Sequence, residues 1–191
     1  MAESLVNFFI GIFSGSISKE AIVFIISLFP VLELRGGIIA AYALGLTLAP
    51  AFAISFIGNL LPIPFVLIAI RKVFNLLKKT RFKNIALFFE KRALNRSKQV
   101  QELGYLGLFL FVAIPLPGTG AWTGALVATL LELDLKKSFI VIAAGVFTAG
   151  VIVSIFSFGL LNAIGIGWKY ERKNFDSFYD EGNYRKEQFL F

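Results

Sequence analysis

Residues 103–131 read LGYLGLFLFVAIPLPGTGAWTGALVATLL, a run of 29 residues without a charged side chain. A helix that crosses a bilayer needs about 20 apolar residues, so the run is long enough to span. However, Pro115, Pro117, Gly118 and Gly120 interrupt it. The prolines remove backbone donors and the glycines permit turn conformations, so a continuous helix is disfavoured. The run therefore predicts two short helices that enter the membrane and turn back inside it, a re-entrant hairpin.

The rest of the chain has the same apolar character. Of its 191 residues, 57% are hydrophobic and 16% are charged, and the mean hydropathy is +0.78. Four further runs contain no Asp, Glu, Lys or Arg, namely 4–18, 21–32, 36–70 and 138–168. A soluble domain needs a charged surface that such runs do not supply, whereas a bilayer accepts them. The composition predicts an all-α integral membrane protein and excludes a soluble enzyme domain and a disordered chain.

Missing residue types narrow the possible chemistry. The chain has no Cys and no His, which excludes disulfides, thiol nucleophiles, imidazole bases and the usual zinc and haem ligands. No glycine-rich phosphate loop leads into Lys and Ser/Thr, so direct use of ATP is not indicated. We expect no cofactor, no metal and no enzymatic activity. A membrane-embedded hydrolase would have only Glu33 and a neighbouring hydroxyl to work with.

The positive charge is concentrated in segment 71–102. This segment holds ten basic and two acidic residues, whereas the whole chain carries a net charge of +7. Short basic loops stay in the cytoplasm, so we predict a multi-pass protein of the cytoplasmic (inner) membrane with 71–102 as a cytoplasmic linker. No nucleic-acid-binding motif accompanies the charge, and no nucleic-acid partner is expected.

The same linker has an apolar stripe. Its members recur at three- to four-residue spacing and are Phe74, Leu77, Phe82, Ile85, Phe88 and Phe89. This spacing predicts an amphipathic helix on the membrane surface, whose cations at 71–98 face anionic lipid headgroups. Residues 169–191 form a polar C-terminal tail with no apolar span.

The lengths of the apolar runs predict a second hairpin. Run 36–70 is too long for one span and too short for two, while 21–32 is too short to cross. A hairpin that bends near 30–37, followed by a span over about 51–70, accounts for both runs. In the same way, 138–168 can span once after the hairpin in 103–131.

An internal repeat supports this division. Shifting the chain by 87 residues without gaps gives 8 identities over the 29 positions 30–58, including Pro30 with Pro117 and Gly58 with Gly145. Two units of one hairpin and one span each would start on opposite sides of the membrane, the inverted repeat of many secondary transporters. We therefore predict one membrane domain, 1–168, with repeat one over about 20–70 and repeat two over about 103–168.

The first break contains two charged residues, Glu33 and Arg35. Charges between apolar runs normally face a cavity, a partner or a substrate. Two positions apart they diverge on a regular helix, so a direct ion pair would require unwound backbone, which Gly36 and Gly37 would permit. Alternatively, Glu33 caps a helix that begins near Leu34 while Arg35 extends to the membrane interface.

The second break is a candidate anion site. The N–H groups of 120–122 would point out of a helix N-terminus toward a lipid phosphate or a carboxylate, with Thr119 and Thr123 assisting and Trp122 forming an apolar wall. Alternatively, the break is a kink at which Gly120 and Gly124 permit close helix approach. The candidate substrate- or ion-binding residues are Glu33, Arg35, Gly36, Gly37, Asn59, Pro115, Pro117, Gly118, Thr119, Gly120, Trp122 and Thr123. Of these, Asn59 would either serve the cavity or hydrogen-bond a neighbouring helix.

Several of these motifs carry a family resemblance. The strings ELRGG at 33–37, GNLLPIP at 58–64 and GYLG at 104–107, together with 114–128, resemble the small multidrug export family of bacterial and archaeal membrane proteins, considered related to the DedA/VTT superfamily. The resemblance covers roughly 23–161. It implies two re-entrant loops in inverted repeats and the transport or scrambling of lipids, including polyprenyl-phosphate carriers.

By position, the resemblance assigns the acidic-arginine loop to Glu33 and Arg35 and the second loop to 115–124. Ile38 and Ile39 stand where a proline would be expected soon after Gly37, so the first hairpin would bend elsewhere than in relatives.

Two functions follow from these patterns. The first is a transporter or flippase for an amphiphilic or lipid-phosphate-like substrate, in which Arg35 and the amides of 120–122 hold an anion and Glu33 exchanges a proton. The second is a non-transporting membrane scaffold or lipid-organising protein, in which the breaks are packing devices and the basic linker recruits lipid or a partner. A homodimer is compatible with so small a bundle.

Overall fold

A computed structural model describes residues 17–78, 98–116 and 118–160, and all regular secondary structure in these ranges is helical. The helices are α1 (Lys19–Leu28), α2 (Glu33–Ala43), α3 (Leu48–Leu60), α4 (Ile63–Lys78), α5 (Lys98–Leu103), α6 (Tyr105–Ala113), α7 (Ala121–Leu130) and α8 (Leu135–Ser154), which continues as a π-helix over Ile155–Leu160. The all-α prediction is confirmed. The predicted surface helix around 82–89, Pro117 and the tail 169–191 lie outside the described residues.

Two helical segments among the described residues are long and apolar enough to cross a membrane. They are Leu48–Phe74, which joins α3 and α4, and Leu135–Gly159, which is α8 with most of its π-helical end. Their 27 and 25 residues exceed the hydrocarbon thickness of about 30 Å at 1.5 Å per residue. Each begins three residues before the predicted span, because the composition indicates where charges stop and not where a helix starts.

Four helices that precede these spans are short and form two pairs. α1, α2, α6 and α7 contain 10, 11, 9 and 10 residues, and none is long enough to cross a bilayer. α1 packs against α2, and α6 packs against α7. The two helix pairs therefore have the length and pairing that the sequence predicts for hairpins.

The described residues form two compact units. The first unit contains 17–59 and 150–160, and the second contains 60–78 and 98–149.

In the first unit, local signals determine the ends of α1. Ser18 precedes the helix, and its Oγ accepts a hydrogen bond from the Ala21 N–H at 3.2 Å, as N-cap serines do. α1 ends at Leu28 because Pro30 cannot continue a helix. The apolar face of α1 packs against α2 and the turn that follows it in a core made of Ile22, Val23, Ile26, Leu32, Ala40, Ala41, Leu44, Leu46 and Ala51.

In the second unit, α7 packs against both α4 and α6. The break before α7 contains two left-handed glycines, Gly118 (φ 82°) and Gly120 (φ 148°). Beyond α7, the Arg71 guanidinium donates a 2.6 Å hydrogen bond to the Leu133 carbonyl, and the Asp134 N–H donates to the Tyr105 hydroxyl at 3.1 Å. These contacts fix the turn that leads into α8.

The turn that ends α2 recurs at the end of α7. Each turn is closed by three backbone hydrogen bonds whose residue numbers differ by 87: Leu44 N to Ala40 O, Gly45 N to Tyr42 O and Leu46 N to Ala41 O in the first unit, and Leu131 N to Val127 O, Glu132 N to Thr129 O and Leu133 N to Ala128 O in the second. Gly45 (φ 74°) and Glu132 (φ 54°) hold the left-handed position of each turn. Local structure thus recurs at the same spacing as the sequence identities.

Candidate functional site

Glu33 occupies an unusual backbone position at the first break. It is the first residue of α2, with φ at 51°, and its N–H donates to the Phe29 carbonyl at 2.8 Å. A left-handed conformation costs a residue with a side chain about 1–2 kcal/mol, and such strain concentrates at functional positions. The residue is 6% exposed. The helix begins at Glu33 itself, one residue before the predicted start near Leu34.

Arg35 lies one half-turn further along α2 and is half-buried. It interacts electrostatically with Glu33. The structure thus brings together the two charged residues that the sequence predicts for a site, with Glu33 left-handed at the start of α2 and Arg35 within the helix.

The prediction that Gly36 and Gly37 unwind this segment is wrong, because both are buried within α2. A Cβ placed on Gly36 would lie 2.7 Å from Leu32 Cβ, and one on Gly37 would overlap Ser27 Oγ and lie 2.6 Å from Ser55 Oγ. These glycines therefore allow neighbouring side chains to approach the α2 backbone.

Three helices of the first unit meet at a cluster that we term the polar junction: Ser27 of α1, Gly37 of α2, and Ser55 and Gly58 of α3. Ser27 lies against both glycines, since a Cβ on Gly58 would come within 3.0 Å of Ser27 Cβ and 2.9 Å of the Phe24 carbonyl oxygen. The Ser27 hydroxyl donates to the Val23 carbonyl at 2.8 Å. Ser55 is 0% exposed, and its Oγ has no hydrogen-bond partner in the described part of the chain.

Asn59 extends this polar surface by one turn of α3. It is 1% exposed, and its Oδ1 also has no hydrogen-bond partner within 17–78, 98–116 and 118–160. A buried polar atom without a partner costs about 1–3 kcal/mol. Within the described part of the chain, Asn59 Oδ1 therefore does not make the helix-to-helix hydrogen bond that is one of the two predicted roles of this residue.

The second unit has a corresponding cluster, which we term the apolar junction: Val112 of α6, Gly124 of α7, and Ile142 and Gly145 of α8. A Cβ on Gly124 would lie 2.6 Å from Val112 Cγ2 and 3.7 Å from Ile142 Cγ1. A Cβ on Gly145 would lie 2.8 Å from Val112 Cβ and 3.1 Å from the Phe109 carbonyl oxygen. One side chain again fits against two glycines, and Gly124 permits the close helix approach that the sequence alternative describes.

The hydroxyls of the second break bond to their own backbone. Thr119 Oγ1 lies 2.9 Å from the carbonyl oxygens of Ile114 and Leu116, and the Thr123 hydroxyl donates to the Gly120 carbonyl at 3.3 Å. Thr119 therefore shapes the loop, and Thr123 supports the first turn of α7. The sequence predicts that both hydroxyls assist an anion, and not that they bond to their own backbone.

The other predicted residues of this break differ in exposure. Gly118 is exposed, Gly120 is buried as the residue before α7, and Pro115 and Trp122 are half-buried. Ser27 and Ser55 are not among the residues that the sequence predicts for a site. Their only signal is that small polar residues stand in otherwise apolar runs, which is common in membrane helices.

A comparison with known families identifies the kind of protein. The sequence model of the family described as "Putative small multi-drug export protein" matches residues 33–152, more than half of the 191 residues. The match begins at Glu33 and includes the apolar junction. No curated protein and no solved structure matches the chain. With its two apolar spans, the chain is a membrane protein that belongs to the small multi-drug export family.

Proposed function

We propose that the protein exports an amphiphilic substrate with an anionic group, such as a lipid phosphate, across the cytoplasmic membrane without converting it chemically. One observation carries the proposal: the buried Glu33 carboxylate stands in a left-handed conformation beside the half-buried Arg35. Charged residues between apolar segments are costly and mark substrate or ion pathways. A strained backbone that positions such a charge adds a second cost, which selection for stability alone would remove.

Arg35 is the group suited to the substrate. A guanidinium binds phosphate or carboxylate through two parallel hydrogen bonds, and it keeps its charge under all physiological conditions. An amphiphile would place its anionic group on Arg35 and its apolar part among the surrounding Leu, Ile and Val side chains.

Glu33 supplies the coupling to protons. Glu33 and a substrate anion compete for the same guanidinium, so a bound anion leaves the buried carboxylate without its counter-charge. A buried carboxylate without a cation binds a proton. Substrate binding would therefore take up a proton and substrate release would return it, which couples transport to the proton gradient.

The two helix hairpins supply alternating access in this proposal. We infer that each is re-entrant and that the two repeats have inverted topology, as in other secondary transporters. The recurrence of the turns at the 87-residue spacing supports the repeat. The basic linker 71–102 would lie in the cytoplasm and bind anionic headgroups, and a homodimer would be the assembled form.

Transport in proteoliposomes tests the proposal. The purified protein is reconstituted with an imposed pH gradient, and the initial rates of a fluorescent lipid phosphate and of an amphiphilic dye are measured. We expect Glu33→Gln and Arg35→Ala each to lower the rate at least tenfold, since each removes a group that acts on the substrate directly. Glu132→Gln is the matched control, because Glu132 is also a left-handed glutamate but is exposed; its rate should stay at the wild-type value.

The scaffold hypothesis gives the opposite result. If the wild-type protein and both variants give no transport above that of protein-free liposomes, while neutralising Lys78, Lys79, Arg81 and Lys83 abolishes binding to anionic vesicles, the protein organises lipid and does not export it.

A further inference from the structure

We propose that the first unit binds a sodium ion at the polar junction through the side-chain oxygens of Ser27, Ser55 and Asn59. This inference goes beyond the proposed export function, because it concerns an ion site on α1 and α3 that does not depend on the substrate.

The junction presents buried oxygen atoms with free lone pairs. Ser27 commits its hydroxyl proton to the Val23 carbonyl, so its oxygen presents only lone pairs. Ser55 Oγ and Asn59 Oδ1 are buried and have no hydrogen-bond partner among the described residues. Neutral oxygens and carboxylates are the ligands that hard cations prefer.

The packing brings the two serine oxygens together at Gly37. Ser55 Oγ lies 2.6 Å from the Cβ position of Gly37, and Ser27 Oγ lies against the same position. Asn59 follows Gly58, and because Gly58 has no side chain, Ser27 can pack against it. Because Asn59 stands four residues after Ser55 on α3, both side chains lie on the same helix face.

The local electrostatics favour a cation over a neutral water molecule. Ser27 lies in the last turn of α1, and the C-terminus of a helix carries partial negative charge. Several neutral oxygens at the negative end of a helix suit a single positive charge, and ends of discontinuous helices hold sodium ions in other transporters.

The second unit provides an internal comparison. At the positions that correspond to Ser27, Ser55 and Asn59 it has Val112, Ile142 and Val146. The same three-helix packing is therefore built there without a side-chain oxygen. The packing does not require the oxygens of the first unit, and binding a cation accounts for them.

Ion-dependent thermal stability tests the site. The full-length protein in detergent is melted in choline chloride, in potassium chloride and in sodium chloride at constant ionic strength. We expect sodium to raise Tm saturably by about 3–6 °C at concentrations about tenfold above the dissociation constant, with no rise in potassium. Ser55→Ala and Asn59→Val should abolish this rise. Ser138→Ala is the matched control, because Ser138 is a buried serine of α8 whose Oγ also lacks a hydrogen-bond partner among the described residues; it should retain the full rise.

Binding of radioactive sodium to the wild-type protein is the second measurement, since it does not depend on whether a variant folds. We expect one sodium ion per chain, competed by unlabelled sodium and not by choline. The proposal is overturned if sodium and choline give the same Tm, if no labelled sodium binds, or if Ser55→Ala and Asn59→Val both keep the wild-type rise. These readouts are made without substrate, so failure of sodium binding leaves the export proposal standing, and loss of transport in Arg35→Ala leaves the sodium site standing.

Discussion

The polar junction of the first unit and the apolar junction of the second share one packing plan but differ in chemistry. In each, a side chain from the first hairpin helix fits between a glycine of the second helix and a glycine of the long helix that follows. The first unit uses Ser27 and Ser55, whereas the second uses Val112 and Ile142. Valine and isoleucine gain stability from burial alone, while buried hydroxyls gain little without partners. The glycines therefore determine how the helices pack, and the residues between them determine what each unit can bind.

The largest expected effect is on the glycines themselves. We expect Gly58→Val and Gly145→Val each to lower the free energy of unfolding by about 3 kcal/mol, the upper part of the range for overpacking a core. In both cases the new side chain meets a backbone carbonyl oxygen, of Phe24 or of Phe109, within about 3 Å, and backbone cannot move aside as a flexible side chain can. Unfolding in mixed micelles with increasing denaturant measures the effect.

Gly159→Ala is the control for this pair. Among the described residues its Cβ would meet only Ile155 Cγ2, at 4.0 Å, so we expect a change within about 0.5 kcal/mol, as for substitutions away from packed features. Should Gly145→Val be costly while Gly58→Val is tolerated, the two junctions are not built on the same plan.

An exchange of side chains between the junctions separates packing from polarity. We expect Val112→Ser to cost about 2 kcal/mol, because it removes two buried methyl groups and leaves space between Gly124 and Gly145. We expect Ser27→Val to change stability by no more than about 1 kcal/mol, because valine already fits between two glycines in the second unit and its burial offsets the lost local hydrogen bond to Val23. Both values come from the same unfolding experiment, carried out without sodium.

Equal costs for the two substitutions would contradict this reading, because they would show that Ser27 is needed for packing. A tolerated Ser27→Val would mean that selection keeps the serine for its oxygen.

The sequence predicts the long spans well and marks Glu33 and Arg35 as candidates, for a simple physical reason. Charge in a membrane is expensive, so its absence indicates spans and its presence indicates a site; Glu33 and Arg35 stand out on this basis alone. The 87-residue spacing is likewise visible, because glycines at close helix contacts, such as Gly58 and Gly145, stand at matching positions.

The polar junction could not be predicted in the same way. A glycine pair indicates either a turn or a close contact, and only the packing of Ser27 and Ser55 against α2 shows that Gly37 makes a close contact inside a helix. A serine in an apolar helix is ordinary until its neighbours are known. The second break shows the converse. Its residues have the composition of an anion site, but the Thr119 hydroxyl bonds to its own loop.

The smallest effect concerns the turns that precede the long helices. Gly45 and Glu132 occupy the same left-handed position, 87 residues apart, but only glycine adopts it without strain. We expect Gly45→Ala to destabilise the protein by about 1 kcal/mol and Glu132→Gly to stabilise it by about 0.5–1 kcal/mol, which shifts Tm in opposite directions by about 2–4 °C. Glu132→Asn should stabilise slightly, since asparagine tolerates this conformation better than most residues. Opposite shifts would show that the two turns share one backbone geometry and its strain. Shifts of the same sign would mean that the side-chain interactions of Glu132 outweigh its strain, so that the two turns are alike in shape but not in energy.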